Sequence, residues 1–284
     1  MMFLSTLLID VGQNPDRERP GRLWLRNLYR VHQRLCMAFP SEERAGDDPA
    51  FLKPYDPAHF PEDRFLADRK SSDVAPEVLR HVHPKRDHNA GFLFRIDPAG
   101  PGRVAITVLS AERPDWDYAF GLKSGLLDDR GRPVGNAGYF LAAPPGEPRP
   151  VRLDHPVGAR LRFRLDVNPT KKIVTVPKKA RTSPDQRGRH GRRVPVPSTE
   201  ESLREWLDFR AAAGGFRVES LSLILPGYVY ANKTREPGKG HRLRSCRYEG
   251  VLQVTDAGAF RKTLASGIGP AKAYGFGLLS VAPC

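Results

Sequence analysis

Between Arg160 and Val167 the chain alternates with a period of two, Leu161, Phe163, Leu165 and Val167 against Arg160, Arg162 and Arg164. Successive side chains of a strand point to opposite faces, so this segment predicts a strand with one buried and one wet face. Its apolar face needs a covering layer. A helical pattern runs from about Thr199 to Ala213, with Ser198 or Thr199 placed to cap it. Strand patterns follow at Phe216–Leu225 and Arg244–Val254. Thr255/Asp256 then opens a short helix to Ala265, and an apolar strand-like run, Leu278 to Ala282, comes last. Strand, helix, strand, strand, helix, strand is the ferredoxin-like order.

The first half repeats that order less completely. Phe3–Ile9 reads as a strand, and a helix follows from about Arg22 to Phe39, closed by Pro40. Residues 40–90 are polar, with few periodic apolar positions, and read as an insertion. Phe92–Asp97 and Val104–Ala111 flank Pro98-Ala-Gly-Pro-Gly102, a strand–turn–strand signal. A second helix around Trp116–Lys123 is indistinct, and the proline-rich Ala143–Pro150 reads as a linker. The expected class is α+β, two tandem ferredoxin-like (βαββαβ, RRM-like) domains, 1–147 and 148–284. A chain of 284 residues is long enough for each to bury a core.

Charge divides at the same place. Residues 1–150 hold 21 Lys/Arg and 21 Asp/Glu, whereas residues 151–284 hold 25 and 11, which accounts for the whole net charge of +14. From Arg160 to Arg193 twelve bases face only Asp166 and Asp185. So one-sided a field attracts a polyanion, with binding that weakens steeply in salt. Pro169, Pro177, Pro184, Pro195 and Pro197 interrupt the basic run and exclude an amphipathic membrane helix. No apolar stretch approaches the ~20 residues of a membrane span. Met1–Ile9 lacks the basic start of a signal peptide. Cys36, Cys246 and Cys284 lie too far apart to suggest a disulfide framework or a zinc site, so a reducing, cytoplasmic compartment is expected.

The segment Gly267-Ile-Gly-Pro-Ala-Lys-Ala-Tyr-Gly-Phe-Gly277 precedes the last strand. Gly267, Gly269, Gly275 and Gly277 let bare backbone approach a ligand, and Lys272 adds a full charge, a combination suited to phosphate. A dinucleotide fingerprint needs these glycines between a strand and a helix, and a P-loop needs Gly-Lys-Ser/Thr, which the chain lacks. A structural turn is the competing reading of the loop. No Gly-x-Ser-x-Gly elbow supports a serine hydrolase either.

On a wheel for Arg22–Phe39, Trp24, Leu28, Val31 and Leu35 form the apolar stripe. His32 falls about 40° from Leu28, with Cys36 at about 80° and Tyr29 at about 100°. His32 and Tyr29 are thus i, i+3 neighbours on the helix border, near Arg22, Gln33 and Arg26. A neutral imidazole there can take a proton from a ribose 2′-hydroxyl, and a phenol can position the ribose. Boundary packing is the commoner role of such residues. His81, His83 and His88, with Asp87 in a proline-containing loop, are the rival candidates as metal ligands.

Several motifs together resemble the CasE family, the CRISPR RNA-processing endoribonucleases of type I-E systems. They are Met2-Phe-Leu-Ser5, Arg26-Asn-Leu-Tyr-Arg-Val-His-Gln-Arg-Leu35, Gly91-Phe-Leu-Phe-Arg95, Arg162-Phe-Arg-Leu-Asp-Val-Asn-Pro-Thr-Lys171, Tyr248-Glu-Gly-Val-Leu252 and Gly267 to Pro283. The resemblance spans both halves in order. It implies metal-independent cleavage of precursor CRISPR RNA at the repeat hairpin, without a cofactor, and retention of the product with the other Cascade subunits. It carries the family's catalytic histidine and tyrosine onto His32 and Tyr29. Arg26, Lys239 and Arg242 are candidates to stabilise charge on the phosphorane. Arg162, Lys171, Lys172, Lys178, Lys179 and Arg181, in or near a loop or hairpin after Asn168-Pro169, are the expected contacts to the RNA stem, with the 267–277 loop. The alternative is a non-catalytic RNA-binding subunit of the same ribonucleoprotein. Residues 40–90 depart from the family pattern by their length.

Overall fold

The computed structural model describes residues 1–13, 20–36, 38–39, 91–120, 140–173, 192–231 and 241–284. The expected insertion at 40–90 lies outside them, as do His81, His83 and His88. The chain divides into two compact units: Met1–Leu153 with Tyr230–Arg242 and Ala273–Gly275, and Asp154–Val229 with Leu243–Lys272 and Phe276–Cys284. The first unit extends six residues past the boundary expected at 147, because a strand occupies the proline-rich stretch.

In the first unit, β1 (Met2–Asp10), β2 (Phe92–Pro98), β3 (Arg103–Ser110) and β4 (Arg149–Val151) form one antiparallel sheet in the order β2-β3-β1-β4. This is the ferredoxin-like arrangement, in which the strands read 4-1-3-2 from one edge. Pro150 lies opposite Phe3 in β4. An edge strand tolerates a residue with no N–H, which is why a proline-rich segment read as linker forms a strand. Register puts Leu7, Ile106 and Ile96 in one row, and Val108 beside Phe94. These side chains face α1 (Pro20–Leu25), α2 (Leu28–Cys36) and α3 (Trp116–Ala119) across an aromatic core. Trp24 stacks on Phe140 at 5.3 Å and meets Phe120 edge-on at 6.2 Å.

The helix expected over Arg22–Phe39 is two helices. Asn27 ends the first, its N–H donating to the Trp24 carbonyl, and caps the second, its Oδ1 accepting from the Tyr29 N–H at 3.2 Å. Its carbonyl also accepts the first bond of α2, from Val31. An asparagine offers the backbone a local alternative to helix continuation, and the chain takes it.

In the second unit, β5 (Arg160–Val167), β8 (Phe216–Ala231), β9 (His241–Val254) and β10 (Leu279–Pro283) give the order β10-β5-β9-β8, again 4-1-3-2. The inner residues of β5 are buried and its outer residues are the arginines, as its alternation requires. β8 continues through Pro226 to Ala231, six residues beyond the expected end. It too is an edge strand, so Pro226 breaks no interior ladder. Thr199 caps α4 (Glu200–Ala213) by accepting from Ser202 N–H, and Asp256 caps α5 (Ala257–Ser266) by accepting from Ala259 N–H. Tyr248 ties sheet to helix, its hydroxyl donating to the Leu203 carbonyl at 2.8 Å. A two-stranded ladder, β6 (Thr170–Ile173) with β7 (Arg192–Pro195), follows Asn168-Pro169 where a basic loop or hairpin was expected.

Candidate active site

Helix α2 carries its side chains in three bands. Val31 and Leu35 are fully buried in the core, Leu28 is half-buried, and Tyr29 and His32 lie at the border. Within Leu28–Cys36 the wheel holds for Val31, Leu35, Tyr29 and His32, whereas Cys36, expected off the stripe, is buried in the core and Leu28, expected on it, is only half-buried. The His32 ring packs on β2, 5.4 Å from the Phe92 ring and 6.4 Å from that of Phe94. Its Nε2 lies 3.6 Å from Cys36 Sγ, one turn on, and Nδ1 is shielded from solvent. The Tyr29 ring stands 6.3 Å from His32 at an interplanar angle of 34°. An imidazole and a phenol are thus held side by side on a short capped helix, over an aromatic floor.

Two features of this site are absent from the sequence reading. Arg34 is fully buried, its Nη1 donating to the Ala119 carbonyl at the end of α3. A cation there complements the negative end of the helix and ties α2 to α3. The second is Tyr274, in a 3-10 turn Lys272–Tyr274, whose ring lies 6.3 Å from Tyr29 at 44°. Ala273–Gly275 accordingly belongs to the first unit, although the rest of the glycine-rich segment belongs to the second. No periodicity links residues 29 and 274; only the folded chain does.

The remaining candidates are spread out. Arg26 is exposed between α1 and α2, and Arg242 is exposed on β9. Arg162, on β5, is exposed and donates Nε to the Pro283 carbonyl at 3.1 Å. Its neighbours on the outer face are ion-paired: Arg160 with Glu219 at 2.7 Å, Arg164 with Glu249 at 2.7 Å, and Asp166 with Arg247 through two bonds of 2.7 and 2.6 Å. Register explains the difference, since Arg162 lies between Val251 and Ala282, where no carboxylate faces it. Lys171 and Lys172 are exposed on β6. Lys178, Lys179, Arg181 and Lys239 lie outside the described residues.

Gly267, Gly269, Gly275 and Gly277 all have positive φ. At Gly277 a Cβ would come within 2.7 Å of the Ile268 carbonyl, so only glycine lets the two ends of the loop close on each other. Lys272 donates Nζ to the Ser266 carbonyl at the end of α5, and its partial burial lowers its pKa from the ordinary lysine value. The lysine expected to hold phosphate thus also caps a helix, with two of its three donors left over. Among the described residues no three His, Cys, Asp or Glu side chains gather as a metal site. Among them also no helix is long and apolar enough to cross a membrane.

Comparison with known proteins identifies the family of the chain. A family model described as CRISPR associated protein covers residues 73–283, more than half of the chain. The CRISPR-associated endoribonuclease Cse3 of Thermus thermophilus is 30% identical over 202 residues, 68% of this chain and 80% of that protein. The Cascade subunit CasE of Escherichia coli K12 is 37% identical over 134 residues, 47% of this chain and 63% of that protein. A structure of Thermus thermophilus Cse3 with an RNA representing a pre-cleavage complex aligns over 99% of both chains, at 25% identity and a TM-score of 0.58. The chain belongs to the CRISPR-associated protein family, alongside Cse3 and CasE.

Proposed function

We propose that this protein is a metal-independent endoribonuclease that cuts precursor CRISPR RNA at its repeat hairpin and stays with the product in Cascade. The pairing of His32 with Tyr29 on α2 carries the reading. Similarity to a protein named an endoribonuclease and to a pre-cleavage RNA complex supports it. The ribose 2′-hydroxyl loses its proton, and its oxygen attacks the adjacent phosphorus. The bond to the 5′-oxygen breaks, and that oxygen leaves with a proton. The products are a 2′,3′-cyclic phosphate and a 5′-hydroxyl. His32 takes the first proton or supplies the second, and Tyr29 orients the ribose and phosphate. Arg26, Lys239 and Arg242 are the cations proposed to stabilise the phosphorane.

In this reading the first domain cuts and the basic second domain holds. Arg162, Lys171, Lys172, Lys178, Lys179 and Arg181 contact phosphates of the stem, whose deep groove side chains cannot read. The 267–277 loop adds backbone N–H groups and Lys272. Three free cysteines are in keeping with a cytoplasmic location.

One observation favours the alternative, an RNA-binding subunit that does not cut. Nδ1 of His32 is buried and Nε2 lies 3.6 Å from Cys36 Sγ, a contact with which a reacting ribose would compete. Incubation of the protein with its cognate repeat RNA in EDTA, beside His32→Ala, decides. Cleavage by the wild type alone, with a 2′,3′-cyclic phosphate end, is the expected result. Tight binding of intact RNA by both proteins establishes the alternative, and a divalent-metal requirement redirects attention to His81, His83 and His88.

A further inference from the structure

The turn that carries Tyr274 is fixed by its backbone on both sides. Ala271 has φ 63°, a left-handed conformation that residues with a Cβ rarely take, and Gly275 has φ 81°. A Cβ on Gly275 would lie 3.1 Å from Cε2 of Phe94, so this backbone presses directly on that ring. Phe94 in turn lies under His32. The adjacent residue, Tyr274, meets Tyr29. Two consecutive residues from the far end of the chain therefore bear on both members of the candidate pair, one directly and one through the aromatic floor. Burial raises the pKa of Tyr274 above the ordinary tyrosine value, so its phenol stays neutral and does not repel a phosphate.

We infer that Tyr274 is a positioning residue of the active site: its ring sets the orientation of Tyr29, while Gly275 seats the turn on Phe94. The glycine-rich segment then has a second duty besides the phosphate contact already proposed. The 273–275 stretch, which belongs to the same unit as α2, sets the phenol beside His32. This inference rests on the cleavage reading for its consequence but not for its geometry. A misplacement of about 1 Å in a positioned group costs on the order of a hundredfold in rate, so the contact has a measurable effect.

The test uses full-length protein in which the eight tyrosines are replaced by 3-fluorotyrosine, with the Tyr29 resonance assigned by its loss in Tyr29→Phe. Tyr274→Ala is expected to move or broaden the Tyr29 fluorine signal. It should slow single-turnover cleavage of repeat RNA roughly tenfold to a hundredfold, while the Kd for that RNA stays within about threefold. Tyr274→Phe keeps the ring and should restore both signal and rate, and Tyr274→Ala should cost far less in a Tyr29→Phe background. An unmoved Tyr29 signal overturns the inference, whatever the rate does. So does a loss confined to Kd, which would make Tyr274 an RNA contact, or a Tyr274→Phe variant as slow as Tyr274→Ala. Failure of the wild type to cleave, with the signal still moved by Tyr274→Ala, sinks the nuclease reading and leaves the buttress standing.

Discussion

The two sheets share one strand order and use it differently. In the first unit the interest lies on the helix side, where α2 lays His32 over Phe92 and Phe94. In the second, the outer face of β5 is a ladder of ion pairs with one unmatched arginine, Arg162. The helices differ likewise: α4 is a 14-residue capped helix, whereas α2 has nine residues and starts at a break. A continuous helix would have carried the chain past Asn27 without placing Tyr29 in a first turn. The same topology thus offers a rigid charged surface in one copy and a small, chemically equipped helix in the other. Ferredoxin-like order alone predicts neither.

The sharpest way to break this comparison is to remove one residue from each side. His32→Ala should lower single-turnover cleavage by 10²–10⁴-fold, about the contribution of general acid–base catalysis, with little change in RNA affinity. Arg162→Ala should do the reverse, weakening binding a few-fold and reducing the salt slope of log K by about one, with the rate of bound RNA unchanged. If both variants lose affinity and neither loses rate, the division into cutting and holding is wrong.

The next effect concerns the aromatic core behind α2. Trp24→Ala removes the ring stacked on Phe140 and should cost about 3–5 kcal/mol in urea denaturation, enough to disturb α1 and α2 together. On the second unit, Thr199→Ala removes the α4 cap and should cost only about 1 kcal/mol. Equal costs would mean that one helix cap in the second unit matters as much as a core aromatic ring in the first.

The last effect is a pH dependence. Burial pushes the Cys246 thiol from 9.0 up to about 11, whereas the unfolded chain ionises near 9.0. Between those values the unfolded state releases a proton that the native state keeps. Stability is therefore undiminished below pH 9 and falls as pH rises toward 11. Urea midpoints across that window should fall for the wild type and flatten for Cys246→Ala. In native protein Cys284, exposed, should be alkylated well before Cys246.

Much of this was legible in the residues. The alternation of Arg160–Val167 specified a strand and its inner face, and the capping residues Thr199 and Asp256 located two helix starts to within a residue or two. His32 and Tyr29 were placed correctly on one border of α2, because i, i+3 spacing survives a break that lies before both. The misses have identifiable causes. The expected linker Ala143–Pro150 ends inside β4, and the strand expected to end at Leu225 runs on through Pro226, both at sheet edges that tolerate a missing N–H. Nothing in the sequence marked Arg34 as buried, because the acceptor that holds it, the Ala119 carbonyl, lies 85 positions away.

The sequence by itself determined the main element order of the second half and the charge split, and offered His32 and Tyr29 as candidates, since period, capping and composition are local properties that need no partner. Tertiary structure alone decided which arginine on β5 goes without a carboxylate, that Arg34 is buried, and that Tyr274 meets Tyr29. Those outcomes depend on strand register and on residues up to 245 positions apart (274 − 29) meeting in space. Backbone closure of that length is a property of the whole fold, and no window of sequence contains it.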